Sequence, residues 1–168
     1  MRKYSAGILL FRFKDKKLEI MLVHPGGPFW AKKDRGVWST PKGLIEKHEN
    51  PLEAAKREFK EETGFEVDGK FIDLGQVKSS NKVIQVWALE KNLDVTRIVS
   101  NTFTLEWPKN SWIEQEYPEI DKASWFDIEQ AKVKILKGQL GFIDQLIATL
   151  SIDLRKKDSK QHKLSEFF

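Results

Sequence analysis

Three glutamates, Glu58, Glu61 and Glu62, have the residue type and the spacing to hold a metal ion. At positions i, i+3 and i+4 of a helix, all three carboxylates lie on one face. Such carboxylates repel one another unless a cation lies among them, and their hard oxygen atoms suit Mg²⁺ or Mn²⁺. Arg57 can hydrogen-bond one carboxylate through its guanidinium fork and fix its orientation. The simpler alternative is an acidic helix face that only contacts solvent.

The segment around these glutamates carries clear signals for both ends of a helix. Asn50 suits the N-cap position, Pro51 the first helical position, and Glu53 the third position of a capping box. Gly64 can adopt the left-handed conformation that ends a helix. An apolar face is formed at helical spacing by Leu52, Ala55 and Phe59. The sequence therefore predicts a helix between Pro51 and Gly64 that packs through one face and presents carboxylates on another.

The fixed residues from Gly43 to Phe65 resemble the Nudix box. Their order is Gly43, five residues, Glu49, seven residues, Arg57-Glu58-Phe59, one residue, Glu61-Glu62, one residue, Gly64-Phe65, and every fixed position of that motif is filled. The resemblance implies a Nudix (MutT-like) hydrolase, which uses Mg²⁺ to cleave a diphosphate in a nucleoside diphosphate linked to another group. It also implies that the metal is bound by the Gly43 carbonyl and by Glu58, Glu61 and Glu62. Within the box, Arg57 and Glu61 are the catalytic candidates, with Glu61 as general base.

Lys42 precedes the box in the sequence Pro-Lys-Gly, where many relatives that act on free nucleoside triphosphates have a glycine. This sequence resembles the diadenosine polyphosphate hydrolase branch of the family. A flexible cation beside the metal site could contact a longer phosphate chain, so Lys42 is predicted to bind substrate. The alternative is a solvated lysine in a turn.

The proline and glycine content of residues 24–36 predicts a loop. In it, Trp30 could stack on a base, and Lys32 and Lys33 could contact phosphates. These three residues are therefore candidates for substrate binding. Equally, this is a surface loop whose aromatic side chains fold back onto the core.

The acidic segment of residues 114–121 is predicted to be a loop. Nudix enzymes commonly draw an additional glutamate from such a segment, as a metal ligand or as the general base. Glu116 is the candidate chosen here for the catalytic role, with Glu114 and Glu119 as alternatives. For each of these residues a solvated acidic side chain is the simpler interpretation.

Apolar runs predict strands over residues 4–13, 18–24, 71–79, 83–90, 102–107 and 124–126, and helices over 128–136 and 139–150. The expected fold class is α/β. It is a Nudix-type α/β/α sandwich with a mixed sheet, with the loop and helix of the box on one side and the C-terminal helices on the other. Residues 1–150 are expected to form this domain. Residues 151–168 are expected to be a basic, exposed and mobile C-terminal tail.

The composition fits one soluble globular domain of 168 residues, with 40% hydrophobic and 32% charged residues. The sequence has no cysteine, which excludes a thiol nucleophile and thiolate metal ligands. No stretch is apolar over the length that a membrane span needs, so a cytoplasmic location is expected. The net charge of +4 is spread along the chain, and direct nucleic-acid binding is not expected.

The substrate stays open between a nucleoside triphosphate and a dinucleoside polyphosphate. In the Nudix family, ADP-ribose hydrolases tend to have a proline downstream of the box, and diadenosine polyphosphate hydrolases a tyrosine slightly further on. This chain has no proline between Pro51 and Pro108, which counts against ADP-ribose as substrate. It has no tyrosine between Tyr4 and Tyr117, which weakens the case for a diadenosine substrate. The alternative function is a catalytically inactive Nudix-like module that binds nucleotides, against which the intact glutamates speak.

The C-terminal residues 161–168 resemble the peptide by which replication proteins dock on a sliding clamp. Gln161 would be the polar anchor, and an apolar plug would consist of Leu164, Phe167 and Phe168. The alternative is that this peptide folds back onto the protein or onto a second subunit, and the oligomeric state stays open.

Overall fold

The computed structural model of the chain describes the backbone of residues 1–165 and the side chains of residues 1–161. The strands in this part are β1 (Lys3–Lys14), β2 (Lys17–Pro25), β3 (Lys42–Leu44), β4 (Ile72–Lys78), β5 (Lys82–Glu90), β6 (Thr102–Glu106), β7 (Glu114–Pro118) and β8 (Ile120–Asp127). The helices are α1 (Pro51–Thr63), α2 (Ile128–Lys134) and α3 (Leu140–Ser165). The side chains of Leu164, Phe167 and Phe168, on which the predicted clamp docking depends, lie outside the described residues.

The main sheet is mixed, as predicted, and β1 lies at its centre. The strand order is β4-β5-β1-β2-β8, and β3 pairs with β1 beyond that row. β1 runs parallel to β5 and antiparallel to both β2 and β3. The pairing with β3 places the start of the box against the sheet. Gly7 permits this pairing, because a β-carbon there would lie only 2.6 Å from the Pro41 carbonyl oxygen.

Alternation along β1 sends side chains into two separate cores. On one face, Ile8 and Leu10 pack in a cluster with Phe59 of α1. On the other face, Leu9 and Phe11 join a cluster with residues of α2 and α3, among them Phe142. A sheet that buries both faces needs a helical layer on each side. The predicted α/β/α sandwich is therefore confirmed.

The ends of α1 follow the predicted signals, except that the Glu53 side chain does not complete a capping box. The Asn50 side chain accepts hydrogen bonds from the backbone amides of Leu52 and Glu53 at 2.9 and 3.2 Å. Glu53 itself accepts a bond from Lys56 on the helix surface. At the other end, Gly64 takes the left-handed conformation with a φ of 80° and donates to the Lys60 carbonyl. These caps fix where the helix begins and therefore which way its glutamates point.

Two predicted elements differ from the structure. The acidic segment predicted as a loop contains β7, which pairs with β6 in a separate hairpin. Its acidic side chains lie on the exposed face, while Tyr117 faces Phe103, and the high charge hides this alternation in the sequence. Helix α3 continues to Ser165 and does not end near Leu150, because no glycine or proline follows to stop it.

The part of α3 after Leu150 is exposed as far as its side chains are described, which agrees with the predicted exposure. The division of the chain into a domain and a tail near residue 150 stays a proposal. Across residues 1–165, no helix is both long enough and apolar enough to cross a membrane.

Candidate metal and phosphate site

Arg57 lies at the centre of the box and donates hydrogen bonds to three of its glutamates. Its Nε and Nη2 atoms donate to the two carboxylate oxygens of Glu49 at 2.8 and 2.9 Å. Its Nη1 atom donates to Glu58 at 2.9 Å and to Glu61 at 3.2 Å, and Nη2 also donates to the Leu44 carbonyl at 3.0 Å. The Arg57 hydrogen bonds lower the pKa of Glu49 to about 2. Arg57 therefore ties the loop before α1 to the carboxylates on the helix.

Gly43 and Glu58 are in direct contact. A β-carbon at residue 43 would overlap the Glu58 carboxylate, so only glycine fits while that carboxylate stays in place. Gly43 is held there by β3, in which it is paired with Ala6 of β1. The predicted metal residues Gly43 and Glu58 are thus brought together, although they are fifteen positions apart in the sequence.

The Glu62 carboxylate is more deeply buried than those of Glu49 and Glu58. Burial raises its pKa to about 8, with a further contribution from the nearby charges of Glu58 and Glu119. Its Oε2 atom accepts a hydrogen bond from the Lys42 backbone amide at 3.2 Å, and the Lys42 charge partly offsets the rise. A carboxylate buried among like charges is a site at which a cation would lower the free energy.

The pKa of Glu58 is also raised. The causes are burial and the charge of Glu61, and the Arg57 hydrogen bond opposes the rise. Among the residues whose positions are described, no three acidic or histidine side chains already converge on one point as metal ligands do. Instead, Glu58 and Glu61 accept hydrogen bonds from Arg57, and Glu62 accepts one from the Lys42 backbone amide. The donor set, carboxylate oxygen atoms that repel one another, fits a hard divalent cation.

Glu119, and not Glu116, lies at this site. The charge of Glu119 contributes to the raised pKa values of Glu58 and Glu62, and partial burial with the Glu61 charge raises the pKa of Glu119 itself. Glu116 projects from β7 and instead accepts a hydrogen bond from the Thr102 hydroxyl. The structure therefore brings Glu119, the alternative within the acidic segment, to the box glutamates and leaves Glu116 on the hairpin.

Backbone contacts explain why Glu119 reaches the site. It is the single residue between β7 and β8, and its amide donates to the Asn101 carbonyl while its carbonyl accepts from Gly26. Gly26 allows this approach, since a β-carbon there would overlap the Pro118 carbonyl.

A cavity of about 240 Å³ lies next to the carboxylates. It is lined by Glu62, Glu119, Lys42 and Trp30, together with Val23, Pro25, Val37, Ser39, Ile120 and Leu136. Two of the predicted substrate residues, Lys42 and Trp30, are thus brought beside the acidic residues. A base could stack on the indole while its phosphates face the carboxylates and a cation.

Lys32 and Lys33 have a different placement. The Lys33 ammonium lies 3.6 Å from the ring centre of Phe29 and 5.1 Å from that of Trp30, a cation–π arrangement on the loop surface. Lys32 is exposed, and neither lysine lines the cavity beside Glu62. The structure therefore does not bring these two predicted residues to the carboxylates.

A second cavity, of about 440 Å³, adjoins the first at Lys42. Its ionisable lining residues are all basic, Lys3, Lys42 and Lys82, and its apolar lining consists of Leu44, Val77, Ile84 and Leu136. Lys3 and Lys82 are direct neighbours in the parallel pairing of β1 with β5. Sequence reasoning missed them because 78 intervening positions separate them in the chain. Lys42 thus stands between an acidic and a basic cavity.

Comparison with known proteins identifies the family. The profile described as NUDIX domain matches residues 1–146. The mRNA-decapping enzyme subunit 2 of Saccharomyces cerevisiae is 32% identical over 122 residues, which are 70% of this chain and 11% of that protein. Nudix hydrolase 6 of Arabidopsis thaliana is 31% identical over 128 residues, 76% of this chain and 40% of that protein. The chain thus spans less than half the length of either relative.

A solved structure of similar fold is that of an Ap4A hydrolase from C. elegans, as a binary complex. It superposes with a TM-score of 0.59 at 20% identity and covers 89% of this chain and 98% of its own. The profile match, the relatives and the arrangement of residues 43–65 agree: the chain belongs to the Nudix family.

Proposed function

We propose that the protein is a divalent-cation-dependent hydrolase that cleaves a diphosphate linkage in a nucleotide by attack of water on phosphorus. The observation that carries this proposal is the cluster of partly buried carboxylates at Glu58, Glu61 and Glu62, with two raised pKa values. A perturbed carboxylate cluster beside a cavity is characteristic of a functional site. An acidic surface in contact only with solvent would not raise these pKa values by burial.

The residues that would hold the cation are Glu58, Glu61, Glu62 and the Gly43 carbonyl. Mg²⁺ is the favoured ion and Mn²⁺ an alternative, since both prefer oxygen ligands. When bound, such an ion neutralises phosphate charge and makes water a better nucleophile.

The protein's own groups supply orientation and proton transfer. Arg57 keeps Glu49 and Glu58 in fixed directions through its hydrogen bonds. Glu119 is the favoured acceptor of the proton from the attacking water, because it lines the cavity and its pKa is raised towards the range useful for a base. Glu61 remains the alternative acceptor within the box. Trp30 orients the base, and Lys42 contacts the phosphate chain.

Among nucleotides, a dinucleoside polyphosphate is favoured over a nucleoside triphosphate. The support is the position of Lys42 between two cavities, one beside the carboxylates and one with a basic rim and an apolar floor. Two nucleosides joined by phosphates could place one half in each cavity. The name of one relative agrees with this class: m7GpppN-mRNA hydrolase of Saccharomyces cerevisiae, 32% identical over 122 residues, is named for a substrate that contains two nucleosides joined by phosphates.

The test is turnover by purified protein with Mg²⁺. Ap4A, a capped dinucleotide, nucleoside triphosphates and ADP-ribose would be compared, with products identified by mass spectrometry in isotopically labelled water. We expect hydrolysis of the first two, with label in a phosphate product. The competing function, an inactive module, predicts binding of the same ligands without turnover.

Two finer expectations rest on the sequence alone. We propose a cytoplasmic location, which imaging of the tagged full-length protein would test. We also propose docking of residues 161–168 on a sliding clamp, tested by binding of a peptide of residues 160–168 to the host clamp. The control is the peptide with Phe167→Ala and Phe168→Ala, and equal binding of both peptides would refute the docking.

A further inference from the structure

His24 is a fully buried residue of β2 whose two ring nitrogens both face hydrogen-bond acceptors. Nδ1 lies 2.8 Å from the Asp121 carboxylate and Nε2 lies 2.6 Å from the Lys33 carbonyl oxygen. Turning the ring over would place carbon atoms against both oxygens, so both contacts require nitrogen. A neutral imidazole carries only one N–H and could satisfy only one of these acceptors.

The His24–Asp121 pair must therefore hold two protons. A carbonyl oxygen cannot donate, so Nε2 carries one of them. The other lies in the 2.8 Å contact between Nδ1 and Asp121, and the pair is an imidazolium and a carboxylate when this proton lies on the nitrogen. A buried imidazolium is stable only when paired and hydrogen-bonded, and both conditions are met here.

Charged groups of both signs lie near the His24 ring and the Trp38 ring that packs on it. Trp38 packs edge-on against His24 at 5.1 Å, and its indole donates to Asp34, which pairs with Lys134. The Lys122 ammonium lies 5.6 Å from the Trp38 ring centre. Lys122 and Asp34 thus contact Trp38, Lys134 pairs with Asp34, and Asp121 hydrogen-bonds the His24 ring itself.

This one ring joins the two segments that bring Trp30 and Glu119 to the cavity. Lys33 closes a turn with Trp30, since its amide donates to the Trp30 carbonyl at 2.9 Å. Asp121 follows Glu119 by two residues, and Trp30 and Glu119 line the same cavity. A contact from His24 to each segment fixes their separation.

We propose that His24, as an imidazolium bound to Asp121, is a positioning residue that holds Trp30 and Glu119 at the correct separation for the substrate. The inference rests on the proposed function for its substrate, but the protonation of His24 is independent of any activity. Asp121→Asn gives a sharp control. An asparagine amide can donate to Nδ1, so a neutral His24 with Nε2–H then satisfies both contacts.

The experiment combines nitrogen NMR of the His24 ring with kinetics of the native protein, Asp121→Asn and Asp121→Ala. We expect two protonated ring nitrogens in the native protein at neutral pH and one in Asp121→Asn. KM for the hydrolysed nucleotide should rise about tenfold in Asp121→Ala, as for one lost hydrogen bond, and Asp121→Asn should restore it. Thermal unfolding shows whether each variant is folded.

Binding of a non-hydrolysable dinucleoside polyphosphate is measured in parallel, so that a protein without turnover still gives a result. Failure of the proposed function would appear as absent turnover with the ring signature intact. A single protonated ring nitrogen in the native protein would overturn the inference. So would a folded Asp121→Ala variant whose KM and ligand affinity equal those of the native protein.

Discussion

The carboxylate of Glu58 occupies the space that a β-carbon on Gly43 would fill. Strand β3 holds Gly43 beside β1, and the Arg57 guanidinium holds Glu58 at 2.9 Å. Because Gly43 has no side chain, α1 can place the Glu58 carboxylate against the sheet. The Gly43 carbonyl and the Glu58 carboxylate can then serve one cation.

Replacement of Gly43 by alanine should displace Glu58 from this place. We expect a loss of about a hundredfold or more in kcat/KM, the scale on which removal of a charge-stabilising group acts. Steady-state hydrolysis of Ap4A with Mg²⁺ measures the effect. Gly141→Ala is the matched control, because a β-carbon there meets only Val77 at an ordinary contact distance of 3.8 Å. Equal activity of the two variants would contradict the close-contact argument.

Glu119 and Glu116 form a matched pair three residues apart. Glu119→Gln should lower kcat by about a hundredfold or more, because a proton acceptor is lost while the side chain keeps its shape. Glu116→Gln should leave kcat within about twofold, since the Glu116 side chain accepts a hydrogen bond from Thr102 on the hairpin and does not line the cavity beside Glu62. The opposite order of effects would return the catalytic role to Glu116.

The raised pKa of Glu62 predicts how the stability of the fold and the affinity for metal depend on pH. Its pKa rises from 4.5 to about 8 on folding without metal, so the folded state holds this proton more tightly than the unfolded chain. The resulting stability is complete below about pH 4.5 and is lost as the pH rises through about 8. Cation binding needs the ionised carboxylate, so Mg²⁺ affinity should increase with pH over the same window.

Melting curves at several pH values, with and without Mg²⁺, measure both effects. Without metal, the melting temperature of Glu62→Gln should fall less between about pH 6 and pH 9 than that of the native protein. Glu66→Gln is a control on an exposed carboxylate that pairs with Lys60. Identical pH profiles of native protein and Glu62→Gln would show that Glu62 does not titrate in this window.

Lys42 and Lys82 should discriminate substrates by the length of the phosphate chain. Lys42→Ala and Lys82→Ala should each raise KM for Ap4A by about tenfold. KM for a nucleoside diphosphate should change less, most clearly in Lys82→Ala, because a short chain does not extend past Lys42 into the basic cavity. Lys47→Ala is the control, since Lys47 is exposed and lines neither cavity. Equal changes for long and short substrates would refute this role.

Local signals in the sequence predict the box well. Asn50, Pro51 and Gly64 act within a few residues of the helix ends, and the spacing of the glutamates fixes their shared face. The contact of Gly43 with Glu58 also follows from the motif, although its physical reason appears only when β3 pairs with β1.

Contacts distant in sequence were not predictable in the same way. Lys82 reaches Lys3 through a parallel pairing that no local pattern encodes, and Glu119 reaches the box glutamates through backbone bonds to Gly26 and Asn101. The charge of β7 masks its strand alternation, so the sequence favours Glu116 over Glu119 without a sign of which side chain faces the box. The role of His24 depends on Lys33 and Asp121, which meet only in the folded chain.

The most direct test of the account is the rate of Ap4A hydrolysis by native protein, Glu58→Gln and Glu62→Gln, each with Mg²⁺ and with excess chelator. We expect full turnover only from the native protein with Mg²⁺, and a rate lower by about a hundredfold or more in each folded variant. Full turnover by either variant, or by the native protein in chelator, would contradict it.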